Sequence, residues 1–299
     1  MNNIRVNFSI KDLENLTGIK AHTIRIWEKR YNLLSPNRTE TNIRHYSLTS
    51  LQKLLNISYL NNNGLKISKI ARLKEEEIPV KVREIASRSK VEDHAINTLK
   101  MAMINFDQAL LYNTYNNLLE NKTFSEVFYT VFLPLLNDIG LLWQTSTITP
   151  AHEHFLSIHI KQKILLNIEK LQNLKPKPKS KTFVLFLPEN EAHDIGLLFI
   201  NYKLRSKGYH TIFLGESIPM NSLKDLHEFF DDITFISYFT VYPEAENIEN
   251  YITQFNALLL KNQHSNLMLL GPKLSSVEIS KSFKKVNTYN SIEDLVKDL

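Results

Sequence analysis

A histidine flanked by a carboxylate marks the segment Glu191-Ala192-His193-Asp194-Ile195-Gly196. A neutral imidazole is a common metal ligand, and a carboxylate two residues earlier can accept its other ring N–H, which fixes the tautomer and raises ligand basicity. Gly196 would let a large flat ligand approach a helix that begins here. The same residues also suit a capped helix with a solvated histidine, so the motif alone leaves both interpretations open.

A second group of residues with chemical potential precedes this motif. Trp143 is followed, after nine residues, by Glu153 and His154. A tryptophan also suits a protein core, and Glu153 and His154 also suit the polar start of a helix. A zinc site is not expected, because His152 and His154 fall on different faces of a helix and no third ligand is near in sequence.

The first 74 residues are basic and the rest of the chain is mildly acidic. The basic end carries 13 Lys and Arg against 4 Asp and Glu, a balance of +9, whereas the remaining 225 residues carry 23 against 27, a balance of −4. This asymmetry favours a polyanion-binding module, although a solvated basic face has the same composition. The absence of cysteine excludes disulfides and thiolate metal sites. No apolar run of membrane-spanning length and no signal peptide are evident, so we expect a cytoplasmic protein.

Apolar periodicity in the basic segment predicts a helix-turn-helix. Ser9 precedes a helix that ends at Gly18, and a second helix spans residues 21–31 with Ile24 and Trp27 on its inner face. The second helix of such a unit enters the major groove of DNA, and the extended stretch after it suits a wing over the phosphate backbone. The predicted DNA contacts are His22, Thr23, Arg25, Lys29 and Arg30 on the helix, and Arg38, Arg44, His45 and Tyr46 on the wing.

The elements after the basic segment predict two further domains. Residues 80–173 have helical periodicity throughout, which predicts a four-helix bundle, and a stiff linker of lysines and prolines follows at 175–181. Short apolar runs then alternate with helical patterns, which predicts a parallel sheet covered on both faces. The predicted strands are 183–187, 211–214, 234–237, 267–270 and a weaker one at 286–289. Ligands of such sheets bind beyond the carboxyl ends of the strands.

The segment from Phe8 to about Leu73 resembles the winged helix-turn-helix of the MerR family, above all in the strings IRIWEKRY and RTETNIRHYS. The resemblance implies that Arg25 and its basic neighbours lie on the recognition helix, and that the chain binds double-stranded promoter DNA. Most MerR relatives bind as dimers through a long coiled-coil helix. This chain lacks that helix, so we expect self-association to a dimer or tetramer through the rest of the chain.

Residues 90–299 resemble a pair of cobalamin-binding domains in which a helical bundle caps a Rossmann-like, flavodoxin-like sheet. The resemblance implies that His193 ligates cobalt from below with Glu191 as its partner. It also implies that Trp143, Glu153 and His154 hold a 5′-deoxyadenosyl group above the ring. Together with a MerR head, this body resembles the light-responsive CarH/LitR regulators, in which adenosylcobalamin assembles a repressor in the dark. Light breaks the cobalt–carbon bond, the upper histidine (here His154) takes the vacated position, and the oligomer dissociates.

The chain departs from this family in the slot for the nucleotide tail of the cofactor. Relatives usually have S-x-L after the third strand of the sheet and Gly-Gly after the fourth. Here Ser237 is kept, but Tyr238 and Phe239 follow it, and the Gly-Gly position reads Gly271-Pro272. Proline removes a backbone N–H and adds bulk. The aromatic side chains and the proline are therefore expected to narrow the slot.

We therefore expect a multidomain protein with a winged helix-turn-helix head (1–76), a four-helix bundle (80–173) and an α/β Rossmann-like domain (180–299). Its expected function is that of a non-enzymatic regulator that binds cobalamin, in the adenosyl form above all. One alternative has the same architecture without the cofactor and is switched by a protein partner. A corrinoid-dependent enzyme is disfavoured, because such enzymes often need a substrate barrel of about 250 residues and no segment of that size is left over.

Overall fold

The computed structural model describes most of the chain, and its residues fall into two units, 1–158 and 159–299. The described ranges are 7–39, 41–86, 91–144, 147–176, 181–261, 264–277, 279–280 and 282–299. Residues 177–180 of the predicted linker lie outside these ranges. The division between the two units falls inside a helix at residues 150–169, and the three predicted domain boundaries stay predictions.

A winged helix-turn-helix begins the first unit, as predicted. Ser9 caps the first helix by accepting a hydrogen bond from the backbone of Asp12, whose carboxylate accepts one from Ser9 in return. Gly18 ends that helix in the left-handed region at φ 74°, a conformation that favours glycine. The elements are α1 (Ile10–Thr17), α2 (Ala21–Tyr31), the antiparallel pair β1 (Asn37–Arg38) and β2 (Arg44–His45), α3 (Leu48–Asn62) and α4 (Ile67–Ile70).

The predicted helical bundle follows. Its helices are α5 (Glu77–Ala86), α6 (Val91–Asn105), α7 (Gln108–Leu119), α8 (Phe124–Val127), α9 (Leu133–Gln144) and α10 (Pro150–Glu169). A π-helical turn at Phe128–Phe132 joins α8 to α9, so that these form one long rod. Helix α5 packs against α3. Pro79 falls in the first turn of α5, where its missing N–H costs no hydrogen bond.

The long rod differs from the sequence-based expectation. By length and composition, Phe124–Trp143 is apolar enough to cross a membrane, although no such run was expected. Phe128, Val131, Phe132 and Leu135 of this rod are buried in the bundle. Such burial is typical of a core helix, which passes the same test, so the segment is weak evidence for a membrane span.

The second unit contains the predicted parallel sheet of five strands. The strand order is β4-β3-β5-β6-β7, and every neighbouring pair is parallel. This order is that of a flavodoxin-like doubly wound sheet, which confirms the predicted fold class. The strands are β3 (Thr182–Pro188), β4 (His210–Ile218), β5 (Ile233–Tyr238), β6 (Asn266–Leu270) and β7 (Val286–Tyr289).

The crossovers of the sheet are partly different from those predicted. The helices α11 (Ile195–Ser206), α12 (Ile248–Leu259) and α13 (Ile292–Lys297) follow β3, β5 and β7. Short 3₁₀ helices, Met220–Glu228 and Pro272–Ser276, follow β4 and β6 in place of α-helices. Pro219 and Pro272 stand at the starts of these two segments, and each removes one backbone N–H from its turn.

The strand order reverses beside β3, where a doubly wound sheet opens a crevice for a ligand. The chain passes outward from β3 to β4, and then returns to β5 on the other side of β3. The loops after β3 and β5 therefore lie side by side at the carboxyl edge of the sheet. These loops begin at Glu189 and Phe239, so the sheet places Glu191 and His193 at the edge of the crevice.

Gly271 directly follows strand β6 and has a structural role. Its φ is 123°, and a Cβ added to it would lie 2.3 Å from the carbonyl oxygen of Phe239. The backbones of the loops after β5 and β6 approach each other closely at this point. Gly271, which was expected to line a cofactor slot, is required here for contact between two loops.

We predict that Gly271→Ala destabilises the protein by about 1–3 kcal/mol, since alanine would be strained at this φ and would overlap the backbone of Phe239. Urea denaturation followed by circular dichroism measures this loss. Gly140→Ala is the matched control, because Gly140 lies within helix α9 and its Cβ would meet nothing within 4 Å. The control should raise stability by about 0.5–1 kcal/mol. Equal effects of the two substitutions would contradict the structural role of Gly271.

Candidate functional site

The recognition helix α2 presents a basic face to solvent. Its inner face is apolar, as predicted, because Ile24 and Trp27 are buried. His22, Arg25, Lys29 and Arg30 are exposed, and Thr23 is half-buried. The helix therefore offers side chains that can reach base edges and phosphates at the same time.

The start of α2 is held by a residue that sequence analysis did not single out. The carboxylate of Glu14 on α1 accepts a hydrogen bond from the backbone N–H of Ala21 at 3.3 Å and lies 3.3 Å from Lys20 Nζ. An acidic group at this end of a helix satisfies an otherwise unpaired donor and interacts favourably with the helix dipole. Glu14 thus fixes the direction in which α2 leaves the turn.

Tyr46 was predicted to contact DNA, and the structure contradicts this. Its side chain is fully buried, and its hydroxyl donates to Glu28 Oε1 at 2.5 Å. Burial raises the pKa of Tyr46, and the hydrogen bond to Glu28 raises it further, so the phenol stays a donor at neutral pH. Arg44 Nε lies 3.4 Å from the other oxygen of Glu28. Tyr46 and Glu28 therefore fix the wing against the recognition helix.

The rest of the wing is more exposed. Arg38 Nη1 donates to Asn42 Oδ1 at 2.6 Å across the turn between β1 and β2, and Asn42 has φ 64°. Arg38 is exposed, whereas Arg44 and His45 are half-buried. Arg38 is accordingly the wing residue best placed to meet a phosphate, and contact of all three with DNA stays a prediction.

In the bundle, two of the predicted cofactor residues, Trp143 and His154, are exposed, and the third, Glu153, is half-buried. Trp143 is 56% exposed, so its interpretation as a core residue is wrong. Glu153 accepts a hydrogen bond from Ser157 Oγ at 2.5 Å, and His154 Nε2 lies 3.4 Å from Glu153 Oε2. The side chain of His154 is 79% exposed. His152 is instead buried, which confirms that the two histidines occupy different faces of α10.

The same stretch of the bundle contacts the DNA-binding head. Asn15 Nδ2 on α1 donates to Thr147 Oγ1 at 2.8 Å, and Thr147 is fully buried. Thr147 lies between Trp143 and Glu153 in the sequence. This hydrogen bond joins the first helix of the helix-turn-helix to the loop that separates two predicted cofactor residues.

Glu191 is the centre of the site in the second unit. Its side chain is fully buried, and one oxygen accepts hydrogen bonds from the backbones of Ala192 and His193, each at 3.0 Å. The other oxygen accepts from the backbones of Thr240, Val241 and Tyr242 at 3.1, 2.6 and 2.8 Å. Burial alone would raise the pKa of Glu191, but these bonds and one from the His193 ring lower it to about 2. The carboxylate is therefore ionised and ties together the loops after β3 and β5.

The ring of His193 is exposed and is held in orientation by Glu191. Its Nδ1 lies 2.5 Å from Glu191 Oε1, and its side chain is 58% exposed. Because an ionised carboxylate only accepts hydrogen bonds, the arrangement assigns the proton of a neutral ring to Nδ1. The lone pair is then on Nε2, the nitrogen that would bind a metal.

Asp194 lies next to His193 and was given no role by sequence analysis. It is buried, and its carboxylate lies 2.6 Å from Lys161 Nζ on α10, which also lies 3.0 Å from Glu216. Burial raises the pKa of Asp194, and Lys161 opposes this shift. The ion pair fixes the start of α11 to the second half of α10. No spacing in the sequence connects residues this far apart, so the pair could not have been predicted.

Of the remaining predicted cofactor residues, Ser237 suits a ligand-binding site, whereas the space beside Gly196 is already occupied. Ser237 is fully buried, and its hydroxyl makes no hydrogen bond with the residues that the structure describes. Such an atom suits a site that a ligand completes. Gly196, in contrast, is covered by the ring of Tyr238. His193 and Glu191 would therefore suit the binding of a cobalt ion such as that of cobalamin, whereas the space beside Gly196 is filled by the chain itself.

Two known family models match parts of this chain. The MerR HTH family regulatory protein model matches residues 8–77, and the B12 binding domain model matches residues 95–165. The chain is a transcriptional regulator that joins a MerR-type head to a B12-binding domain.

Two curated proteins and one solved structure are similar over most of this regulator. It is 29% identical over 223 residues to the HTH-type transcriptional repressor CarH of Myxococcus xanthus, covering 72% of this chain and 73% of that protein. It is 26% identical over 218 residues to CarA of the same organism, covering 72% and 70%. The monomethylamine corrinoid protein of Methanosarcina barkeri has a TM-score of 0.56 at 12% identity, covering 69% of this chain and 97% of that one. At this low identity, the similarity to the corrinoid protein supports only the fold of this chain.

We predict that Arg25→Ala lowers affinity for the regulator's own promoter by about 1–3 kcal/mol if Arg25 reads a base edge. Affinity of the unmodified protein should fall steeply with salt, because its basic head must release counterions from phosphates. Mobility-shift titrations at several salt concentrations measure both effects. Lys261→Ala, which removes an exposed charge from the second unit, is the control and should bind normally. Unchanged binding by Arg25→Ala would remove Arg25 from the interface.

We also predict that Glu191 stabilises the cofactor-free protein in a pH-dependent way. Its folded pKa of about 2 lies below the ordinary value of 4.5, so its contribution is complete above pH 4.5 and is lost as the pH falls toward 2. The shift corresponds to about 3 kcal/mol. The difference in unfolding free energy between the unmodified protein and Glu191→Gln should shrink over this window. Glu249→Gln, on the exposed face of α12, is the control; a pH-independent difference for Glu191→Gln would contradict the assignment.

Proposed function

We propose that this regulator is a repressor whose self-association and binding to promoter DNA are controlled by adenosylcobalamin and by light. Similarity to two proteins named as repressors supports the repressor role. The single observation that carries the cofactor proposal is the pairing of His193 with the buried, ionised Glu191 in the crevice of the sheet. A structural histidine would not need its ring held by a carboxylate that five backbone amides also hold.

The residues of the chain have separable roles in this proposal. When bound, cobalamin would supply a cobalt ion that takes a nitrogen ligand and, in its adenosyl form, a light-sensitive cobalt–carbon bond. His193 would offer Nε2 to the metal, and Glu191 would hold the ring in orientation through Nδ1. Trp143, Glu153 and His154 are proposed to contact the adenosyl group, with His154 as the replacement ligand after illumination. The exposure of Trp143 and His154 leaves both side chains accessible to a ligand.

The connection from cofactor to DNA is proposed to have two parts. A ligand favours one arrangement of the chain only by its differential affinity for it, so loss of the adenosyl group would weaken whatever assembly that group supports. Two heads joined in one dimer or tetramer bind a promoter far better than separate heads. Within the first unit, the hydrogen bond between Asn15 and Thr147 offers a direct route from the Trp143 segment to α1.

A second candidate function is favoured by one observation. The ring of Tyr238 occupies the space beside Gly196, which suits a regulator that has kept the architecture and lost the cofactor. Such a protein would be switched by a protein partner. The two candidates differ in colour, since a cobalamin complex absorbs visible light and the cofactor-free regulator does not.

The test is the absorption spectrum of the purified protein after incubation with adenosylcobalamin in the dark and removal of free ligand. We expect a bound, coloured complex whose spectrum changes after green light. His193→Ala should lose most of the binding, whereas His264→Ala, at an exposed position of the same unit, should not. In parallel, size-exclusion and mobility-shift assays should show a larger oligomer and tighter promoter binding in the dark. A colourless protein with identical assembly and affinity in all conditions would favour the partner-switched regulator.

A further inference from the structure

The ring of Tyr238 lies directly on the first turn of α11. A Cβ added to Gly196 would lie 2.7 Å from Cε2, 2.9 Å from Cζ and 3.0 Å from Cδ2 of that ring. Real Cβ atoms essentially never lie this close to another atom, so only glycine permits the contact. The absence of a side chain at Gly196 is therefore explained by an aromatic ring of the chain itself.

The backbone on both sides of Tyr238 is fixed. Tyr238 pairs with Leu270 of β6, and the next residue, Phe239, is fully buried and donates its N–H to the carbonyl of Leu270 at 2.8 Å. The backbone amides from Thr240 to Tyr242 are held by Glu191. Burial raises the pKa of the Tyr238 phenol, in keeping with its enclosed position. A shift of the strand that would move the ring away from Gly196 would break these backbone hydrogen bonds.

We propose that Tyr238 occupies the space that the nucleotide base of cobalamin would take beside Gly196, and that this regulator prefers corrinoids that lack the nucleotide. The inference rests on the proposed function, since it refines which corrinoid the same site binds. A base entering beside α11 would have to displace the half-buried ring of Tyr238 from Gly196. The ring nitrogen that His193 would offer to a metal is independent of this space, because His193 lies in the loop before α11 and its ring is held by Glu191.

Direct competition between two ligands tests the preference. The full chain is titrated in the dark with adenosylcobinamide, which has no nucleotide, and with adenosylcobalamin, and binding is measured by equilibrium dialysis and visible spectra. We expect the unmodified protein to bind adenosylcobinamide about tenfold more tightly or better, the size of penalty typical when extra groups are forced into packed space. His193→Ala should remove the spectral change of bound adenosylcobinamide, which reports ligation.

Variants of Tyr238 distinguish the effect of its aromatic ring on corrinoid binding from the effect of its hydroxyl group. Tyr238→Ala should strengthen adenosylcobalamin binding until the two ligands differ by less than about threefold, because the space beside Gly196 is then open. Tyr238→Phe keeps the ring and should behave as the unmodified protein. Tyr238→Leu is the second variant if the alanine protein does not fold. Tyr202→Ala, which removes a half-buried aromatic ring on α11 that packs against Phe199, is the control for general loosening and should leave the preference unchanged.

Failure of this inference is distinguishable from failure of the proposed function. Tighter binding of adenosylcobalamin by the unmodified protein, with no gain in Tyr238→Ala, overturns the role of Tyr238 and leaves the corrinoid site intact. Binding of neither corrinoid by any of the variants overturns the corrinoid function itself. Binding of adenosylcobinamide by the unmodified protein, together with a selective gain of adenosylcobalamin by Tyr238→Ala, supports both.

Discussion

The buried carboxylate of Glu191 is the interaction on which the site in the second unit depends. It accepts six hydrogen bonds, five from backbone amides of two loops and one from the ring of His193. Removing an ionised carboxylate from water is costly, and only an array of donors of this kind compensates for it. The same array fixes the relative position of the loops after β3 and β5, where the strand order reverses. One side chain thus holds both the crevice and the orientation of its histidine.

In the first unit, too, inward-facing carboxylates hold structural elements together, although each makes fewer hydrogen bonds than Glu191. Glu14 holds the start of the recognition helix, and Glu28 ties that helix to the wing through Tyr46 and Arg44. Both carboxylates lie within a segment whose net charge is strongly positive. They leave the outer faces of the helix and wing basic, since each is turned toward the protein. Acidic residues therefore stabilise the contacts between the recognition helix, α1 and the wing, and the exposed basic residues remain available to bind phosphate.

Much of the fold follows from local patterns in the sequence. The capped first helix, the limits of α2 and the five parallel strands are visible in apolar periodicity and in turn residues, because each depends on near neighbours. The E-x-H-x-x-G spacing likewise placed Glu191 beside His193. Periodicity does not show which polar side chain turns inward, so Tyr46 was assigned to DNA although it is buried. It also cannot show contacts between distant segments, such as Lys161 with Asp194 or Tyr238 with Gly196. The contacts that Gly196 and Gly271 make with other parts of the chain are hidden for the same reason, and their roles toward a cofactor stay predictions.

Glu191 is buried and His193 is exposed, so mutations at these two positions should affect the fold very differently. Substitutions of Glu191 would break the contacts between two loops in any descendant of this protein, whether or not that descendant still used a cofactor. His193 is exposed, and the frame would tolerate many other side chains at its position. A lineage that abandoned the cofactor would therefore keep the glutamate and let the histidine drift. In such a lineage, His193 would therefore be substituted before the more deeply buried Glu191.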